Sequence, residues 1–420
     1  MQSKSSYKIW LTVGVAALGY FVDIYDIQVF RIIGIESLRD GLKIPAADIP
    51  HYFNDVLFNW QMGGMLVGGL IWGIMGDRLG RRSVLFGAII VYSLANIANA
   101  FVTTIEQYAF FRFVAGLGLA GELGAAITIT SEIMTKENRG YGTVVIVAMG
   151  ALGAVFAVFI SKKLNWLAHD LALQPWQLVY IIGGVLGLIL LLLRFQTFES
   201  GMFDKIKKDD TVIKGDFFML FRNAATFKKY LYCILMGLPI WFVVAVLIGR
   251  SIEIGKINSI TSPVDVSYAT MFCYIGISVG DLISAWLSQI LKSRRKVIGG
   301  YIILNAVVCL IFLYGKNLPI EAFYIVCFLA GTMSGYWALY VTVSAEQFGT
   351  NIRATVAITS PNFVRGAVIP ITLGVTALSL RYGTVNAAVI VGAACLIPAF
   401  YSILMLEETY GKDLNYLEVN

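Results

Sequence analysis

Charge is scarce in this sequence. Only 14% of its 420 residues are Asp, Glu, Lys or Arg, where a water-soluble chain carries roughly a quarter. That shortage excludes a solvated globular surface over most of the chain. Histidine is scarcer still. His51 and His169 are the only two, far apart and both in loop-like stretches, so no apolar segment holds the histidine that a Ser/His pair or a metal cluster would need. The five cysteines, Cys233, Cys273, Cys309, Cys327 and Cys395, fall inside apolar runs. They read as small core residues, not a disulfide frame or a metal site, and no cofactor or metal is expected. Polar and apolar residues do not alternate either. The apolar runs are continuous, which argues against a membrane β-barrel and for helices.

What the chain has in abundance is apolar length: 58% hydrophobic residues and a mean hydropathy of +0.76. A crossing takes about 20 mostly apolar residues, and in lipid only helices or closed barrels satisfy the backbone. Twelve spans are expected, near 9–33, 53–75, 83–102, 106–130, 141–162, 176–195, 230–250, 266–291, 297–315, 320–344, 354–378 and 385–406. The longest interruption carries Arg194, Lys205, Lys207, Lys208, Lys214, Arg222, Lys228 and Lys229. It divides the chain into a six-helix bundle at 1–195, a charged linker at 196–229, a second bundle at 230–406 and a tail at 407–420. The net charge of +6 does not suggest nucleic acid, because the basic residues sit in short loops. Segments on the side of the termini hold more than twice as many Lys and Arg as the other side. That bias places both termini in the cytoplasm. Apolar sequence begins by Trp10 and runs the length of a full span, so a retained first helix is expected, not a cleaved signal.

The halves repeat. Glu132 and Arg139 follow the fourth span, seven residues apart, and Glu346 and Arg353 follow the tenth at the same spacing, each offset by 214. The same offset lays Arg81-Arg82 over Arg295-Lys296 and Asp77 over Leu291. Two loops obeying one offset point to duplicated six-helix units.

Between the second and third spans runs Gly73-Ile74-Met75-Gly76-Asp77-Arg78-Leu79-Gly80-Arg81-Arg82. This loop resembles the major facilitator superfamily signature Gly-x-Leu-x-Asp-Arg-x-Gly-Arg-Arg/Lys, with Met75 where the family often has Leu. The resemblance implies an all-α membrane protein with 12 transmembrane helices in two pseudo-symmetric six-helix bundles. It also implies transport by alternating access around a central site. Gly73, Asp77, Arg78, Gly80, Arg81 and Arg82, with Glu132, Arg139, Glu346 and Arg353, are then the expected cytoplasmic gate. Asp77 has no acidic counterpart in the second half, so a one-sided latch near span eleven is expected to control the rocking rate.

Charge inside a span costs at least a few kcal/mol. Six ionisable residues stand out there: Asp23, Asp26, Arg112, Glu122, Asp281 and Arg365. Asp23 and Asp26 are spaced i, i+3 on one helix face. Two carboxylates so close resist ionising together, so one can take and release a proton, unless the pair only anchors the first helix. Asp23-Ile24-Tyr25-Asp26 resembles the Asp-Gly-Phe/Tyr-Asp signature of the aromatic acid:proton symporter branch, with Ile24 in place of glycine. Arg112 opens a stretch through Gly116, Gly118 and Gly121 that resembles the superfamily's fourth-helix pattern, linked there to proton transfer. At about 1.5 Å per residue, Asp26 and Arg112 lie at matching depth and are expected to meet. Glu122 falls deeper as a second proton station. The same glycines spell a dinucleotide fingerprint, but no strand precedes them, and tight helix packing explains them.

Asp281 and Arg365 also match in depth, either as a static pair or as a substrate anchor with Arg365 facing a carboxylate. Asn362 shares the face of Arg365, beside Pro361. Asn59, Trp60 and Gln61, and Tyr336, Trp337 and Tyr340 near Gly331 and Gly335, are polar or aromatic clusters within spans. They read as packing, or as contacts for a small organic solute with an apolar portion. Span five has Gly150 and Gly153 but no proline, whereas drug:proton antiporters of the superfamily carry a Gly-Pro motif there. Glu407-Glu408-Thr409-Tyr410-Gly411-Lys412 resembles the tail of sugar-porter-like and organic-ion transporters.

The expected function is proton-coupled symport of a small organic solute: an organic acid, amino acid, sugar or nucleoside. The partners are that solute, protons and the lipid bilayer, and a monomer in the cell membrane is expected. Antiport of a metabolite or drug, or solute sensing without transport, are the alternatives. Sensing would call for a long signalling extension, and an intramembrane enzyme for a catalytic pair.

Overall fold

The computed structural model describes residues 2–134, 139–163, 165–194 and 217–412, with 416 and 418. Helix is the only regular structure among them, in twelve membrane-length segments. Spans one to six are Gln2–Glu36, Phe58–Leu79 with the π-helical turn Tyr52–Leu57 before it, Arg81–Asn99, Ile105–Leu119 continued by Glu122–Ile133, Arg139–Lys163, and Pro175–Arg194. Spans seven to twelve are Ala224–Phe242 continued by the π-helical turn Val243–Ile248, Val266–Ile290, Arg294–Tyr314, Ile320–Ser334 continued by Trp337–Glu346, Arg353–Gly366 continued by Val368–Tyr382, and Thr384–Met405. Among the described residues, nine helical segments are long and apolar enough to cross a membrane. An even number of spans brings both ends of the chain to one face, here called the terminus face; the other is the distal face. Large apolar side chains such as Leu380, Ile397 and Trp286 point outward, as a lipid-facing surface requires.

The expected spans are present, with shifted ends. Span seven begins at Ala224, not 230. Arg194 closes span six as a buried residue, not as part of the linker; the rest of the linker through 216 lies outside the described residues.

Small residues set how closely the helices approach. A Cβ on Gly64 would collide with the Phe113 carbonyl oxygen, and one on Gly68 with that of Leu117, so spans two and four touch backbone to backbone. Gly64→Ala is expected to cost about 1–3 kcal/mol by overpacking, read as a lowered thermal midpoint in detergent. Spans eight and ten make the same close approach at Gly276, Gly280, Gly331 and Gly335.

One seam joins the two halves along its whole length. Spans two and eleven run antiparallel, and their partners step in register. Thr376 donates to Asp55 at 2.9 Å, and Asn59 donates to Thr372 at 3.0 Å. Further along, Leu66 packs on Gly366 and Asn362 on Gly69, and Thr355 donates to the Gly73 carbonyl at 3.3 Å. The distal half of the seam is held by side-chain hydrogen bonds. Its terminus half relies on glycine contacts: at Gly73 a Cβ would sit 3.0 Å from Thr359 Cγ2.

Candidate transport site

Arg365 lies mid-membrane in span eleven and is 1% exposed. Its guanidinium carbon sits 5.7 Å from the Trp241 ring and 5.4 Å from the Trp337 ring, within cation–π range. Its Nη1 donates to Asn362 Oδ1 at 3.1 Å. Asn362 is itself oriented, because its Nδ2 donates to the carbonyls of Ala120 at 2.8 Å and Ile358 at 2.7 Å. Asn362 shares the face of Arg365 and ties it to span four. The Nε and Nη2 of Arg365 are buried and have no hydrogen-bond partner among the described residues. Trp337 stacks on Tyr340 at 4.9 Å, and Trp241 meets Trp337 edge-on at 6.2 Å.

Asp281 does not pair with Arg365. Span ten breaks at Gly335 and Tyr336, and Asp281 Oδ1 accepts the Ala338 amide at 2.9 Å. A carboxylate at the start of the resumed helix satisfies a free amide and opposes the helix dipole. Depth matching failed because it ignores which way each side chain faces. Tyr336 is engaged elsewhere too: its hydroxyl donates to the Met236 carbonyl of span seven at 3.1 Å. Asn59 is committed to the seam. Of the expected solute contacts, Trp337, Tyr340, Asn362 and Arg365 come together, while Asn59, Asp281 and Tyr336 serve neighbouring backbone or helices.

On the first span, Asp23 is fully buried and neither of its oxygens has a hydrogen-bond partner. Asp26 lies one turn on, with Oδ2 unpartnered. It packs against Gly183, where a Cβ would collide with Asp26 Oδ1. Arg112 does not bond to Asp26 as expected. Its Nη2 donates to the Gln61 side-chain oxygen, and its guanidinium lies 4.7 Å from the Phe30 ring. This also places Gln61 on Arg112. Glu122 is likewise engaged otherwise than expected. Both of its oxygens accept from Arg194, one at 2.9 Å, in a fully buried two-pronged pair. Gly19 makes room for the pair, since a Cβ there would strike both groups. A carboxylate held this way is poorly placed to exchange protons.

At the terminus face, Gly80 has φ 98°, a conformation that favours glycine, which accounts for the glycine at the turn of the loop signature. Arg78 is exposed. The side chains of Asp77, Arg81, Arg82, Glu132 and Arg139 lie outside those described. Glu346 pairs with Arg294 within the second half, and Arg353 is buried. The tail has a structural role that its short motif did not reveal. Glu408 accepts from Ser293 Oγ and from the amides of Arg294, Arg295 and Tyr410. Burial pushes its carboxyl up, but these bonds outweigh burial and hold it below the usual range.

The distal face carries the residues that sequence reading missed. Arg250 of span seven bonds to Asp55 of span two at 3.3 Å, and Thr376 bridges both. Lys162 pairs with Asp265 at 3.0 Å between spans five and eight. Burial raises the Asp265 carboxyl, yet the Lys162 ammonium and the Ser267 amide hold it below the usual range. These charges sit at span ends, where a linear reading counts them as loop charges.

The Major Facilitator Superfamily model matches residues 16–360. The chain belongs to the major facilitator superfamily. It is a multi-pass membrane transporter and not an enzyme. The chain is similar to the niacin transporter NiaP of Acinetobacter baylyi, 24% identical over 95% of this chain and 94% of that one. It is also similar to the gentisate transporter of Corynebacterium glutamicum, 25% identical over 83% of this chain and 78% of that one. In fold it resembles the proton:xylose symporter XylE, with a TM-score of 0.74 and 14% identity over 98% of both chains. The fucose:proton symporter FucP of E. coli gives a TM-score of 0.71 at 14% identity, over 96% of this chain and 98% of that one. The superfamily's two six-helix bundles account for the span two to span eleven seam, which runs between the halves.

Proposed function

We propose that this transporter imports a small organic acid with a ring, together with a proton, across the cell membrane, its termini in the cytoplasm. The observation that carries this reading is Arg365. A buried guanidinium with two unpartnered nitrogens, set beside two indoles, suits a carboxylate attached to a flat apolar ring. Similar proteins named for niacin and for gentisate support that solute class. The basic loops of the terminus face support its cytoplasmic placement.

Asp23 supplies the coupling. It is buried without a partner, and such a group is more stable neutral than charged. Arg365 has two unpartnered nitrogens and no paired carboxylate among the described residues, so ionised Asp23 and the solute carboxylate would compete for its charge. Protonated Asp23 cedes Arg365 to the solute, so proton and solute load together. Release of the solute leaves the charge of Arg365 unopposed, which favours ionised Asp23 and expels the proton. Asp26 stands one turn further along the same helix toward the distal face, on the route a proton would take to Asp23.

The test is Asp23→Asn in proteoliposomes, first screened with benzoate, nicotinate and their uncharged amides. The variant is expected to lose pH-gradient-driven accumulation while keeping counterflow of the acid at roughly the unmodified rate. Accumulation that survives in Asp23→Asn would remove Asp23 as the proton carrier. Preference for the amides over the acids would remove the carboxylate reading. Binding without counterflow in the native protein would favour a sensor.

A further inference from the structure

We infer that Arg31 is a second binding site for the solute's carboxylate, a way-station between the distal mouth and Arg365. The inference rests on the proposed organic-acid solute. Arg31 lies in span one, eight residues beyond Asp23, so about 12 Å closer to the distal face at helical rise. It is 2% exposed. Its Nη1 donates to Asn54 Oδ1 at 3.2 Å and its Nη2 to the Ala245 carbonyl at 3.3 Å, while Nε has no partner. Both partners are neutral and both bonds are long. Among the described residues no carboxylate lies within ion-pair distance of Arg31. The nearest buried acid, Asp55, is already held by Arg250 and Thr376. Arg250 also reaches Glu253 at 3.6 Å, so Arg31 is the guanidinium left with no acid of its own, a buried charge that is costly unless an anion offsets it.

The surroundings are built for that anion. The Arg31 guanidinium lies 3.7 Å from the Phe58 ring and 5.4 Å from Phe53, the same pairing of cation and aromatic faces found at Arg365. Span seven has glycine opposite it: a Cβ on Gly249 would stand 2.6 Å from Arg31 Nη1. The π-helical turns Tyr52–Leu57 and Val243–Ile248 supply Phe53, Asn54, Asp55 and Ala245 around it, and such turns often mark functional positions. A cavity of about 580 Å³ adjoins this place, lined by Phe53, Asn54, Arg250 and Lys256 and by the acids Asp55 and Glu253; Arg31 lies behind its Phe53–Asn54 wall. A single-ring acid would enter there, meet Arg31, and pass inward past Phe30 and Arg112 to Arg365.

Equilibrium dialysis of benzoate against the purified full-length protein tests this. The native chain is expected to bind two benzoates. Arg31→Gln should lose one and keep the other, and Arg365→Gln should lose the complementary one. Uptake of benzoate by Arg31→Gln should show KM raised about tenfold, the loss of one charge-assisted bond of about 1.5 kcal/mol. A single native site, lost in Arg365→Gln and unchanged in Arg31→Gln, overturns the way-station and leaves the proposed function standing. No benzoate binding at all to the native chain overturns both. Should Arg31→Gln fail to fold, Arg31→Lys replaces it. Keeping the charge but losing the planar fork, it should weaken only the site that survives in Arg365→Gln, and an unchanged affinity there also overturns the inference.

Discussion

Arg365→Gln should raise the KM for an organic acid at least about 100-fold or abolish its uptake. A guanidinium meeting a carboxylate through two charge-assisted bonds gains about 1.5–3 kcal/mol from each, and every 1.4 kcal/mol is a factor of about ten. Glutamine keeps a donor but loses the charge, the fork and the cation–π contacts with Trp241 and Trp337. Arg365→Lys separates these losses. It keeps the charge but presents a point donor in place of a planar fork, so it should fall between the native chain and Arg365→Gln, about tenfold down. The check is initial-rate uptake in proteoliposomes across solute concentration, with thermal unfolding to confirm that each variant is folded. Asn362 already holds Nη1 at 3.1 Å, so Arg365→Gln should leave the seam between spans two and eleven joined. An unchanged KM in Arg365→Gln would end the carboxylate assignment.

Glu122→Gln should destabilise the protein more than any change at the solute site. It takes the negative charge away from a guanidinium buried with it, and breaking a buried pair in this way costs about 3–5 kcal/mol. Gly19→Leu should fail by a related route, since its side chain would displace both partners. Glu122→Leu with Arg194→Met removes both charges and refills the volume, so it should recover much of the loss. Thermal unfolding of the single and double variants measures this. Transport separates structure from coupling. If Glu122 holds the first bundle together and does not carry protons, the surviving Glu122→Gln protein should keep the native dependence of uptake on the pH gradient. A flattened dependence would return Glu122 to the proton path.

The membrane class, the helical architecture and the paired halves were legible because lipid leaves few choices. A run of about 20 apolar residues can only be a span, and the loop from Gly73 to Arg82 carried the superfamily in its spacing. Asp23, Arg112 and Arg365 stood out because charge in such runs is costly. Their partners were not legible. Depth along a helix fixes a side chain's height but not its azimuth. That is why Asp281 serves the span-ten break and Glu122 holds Arg194. Arg31, Asp55 and Arg250 were passed over because they sit near span ends, where charge is cheap and unremarkable. The seam between spans two and eleven turned them into buried residues.

By itself, then, the sequence determined that this chain crosses the membrane repeatedly, that its halves repeat, and that a few charges lie within its spans. It could do so because hydrophobic length and the cost of burying charge are local properties, written in each segment. The tertiary structure alone decided which charges face one another. It committed Glu122 to Arg194, set Arg365 beside Trp241 and Trp337, and left Asp23 and Arg31 without a paired charge among the described residues. Those outcomes depend on how helices from distant parts of the chain rotate and approach. Contacts such as Gly64 on Phe113 and Gly19 beside Arg194 set that geometry.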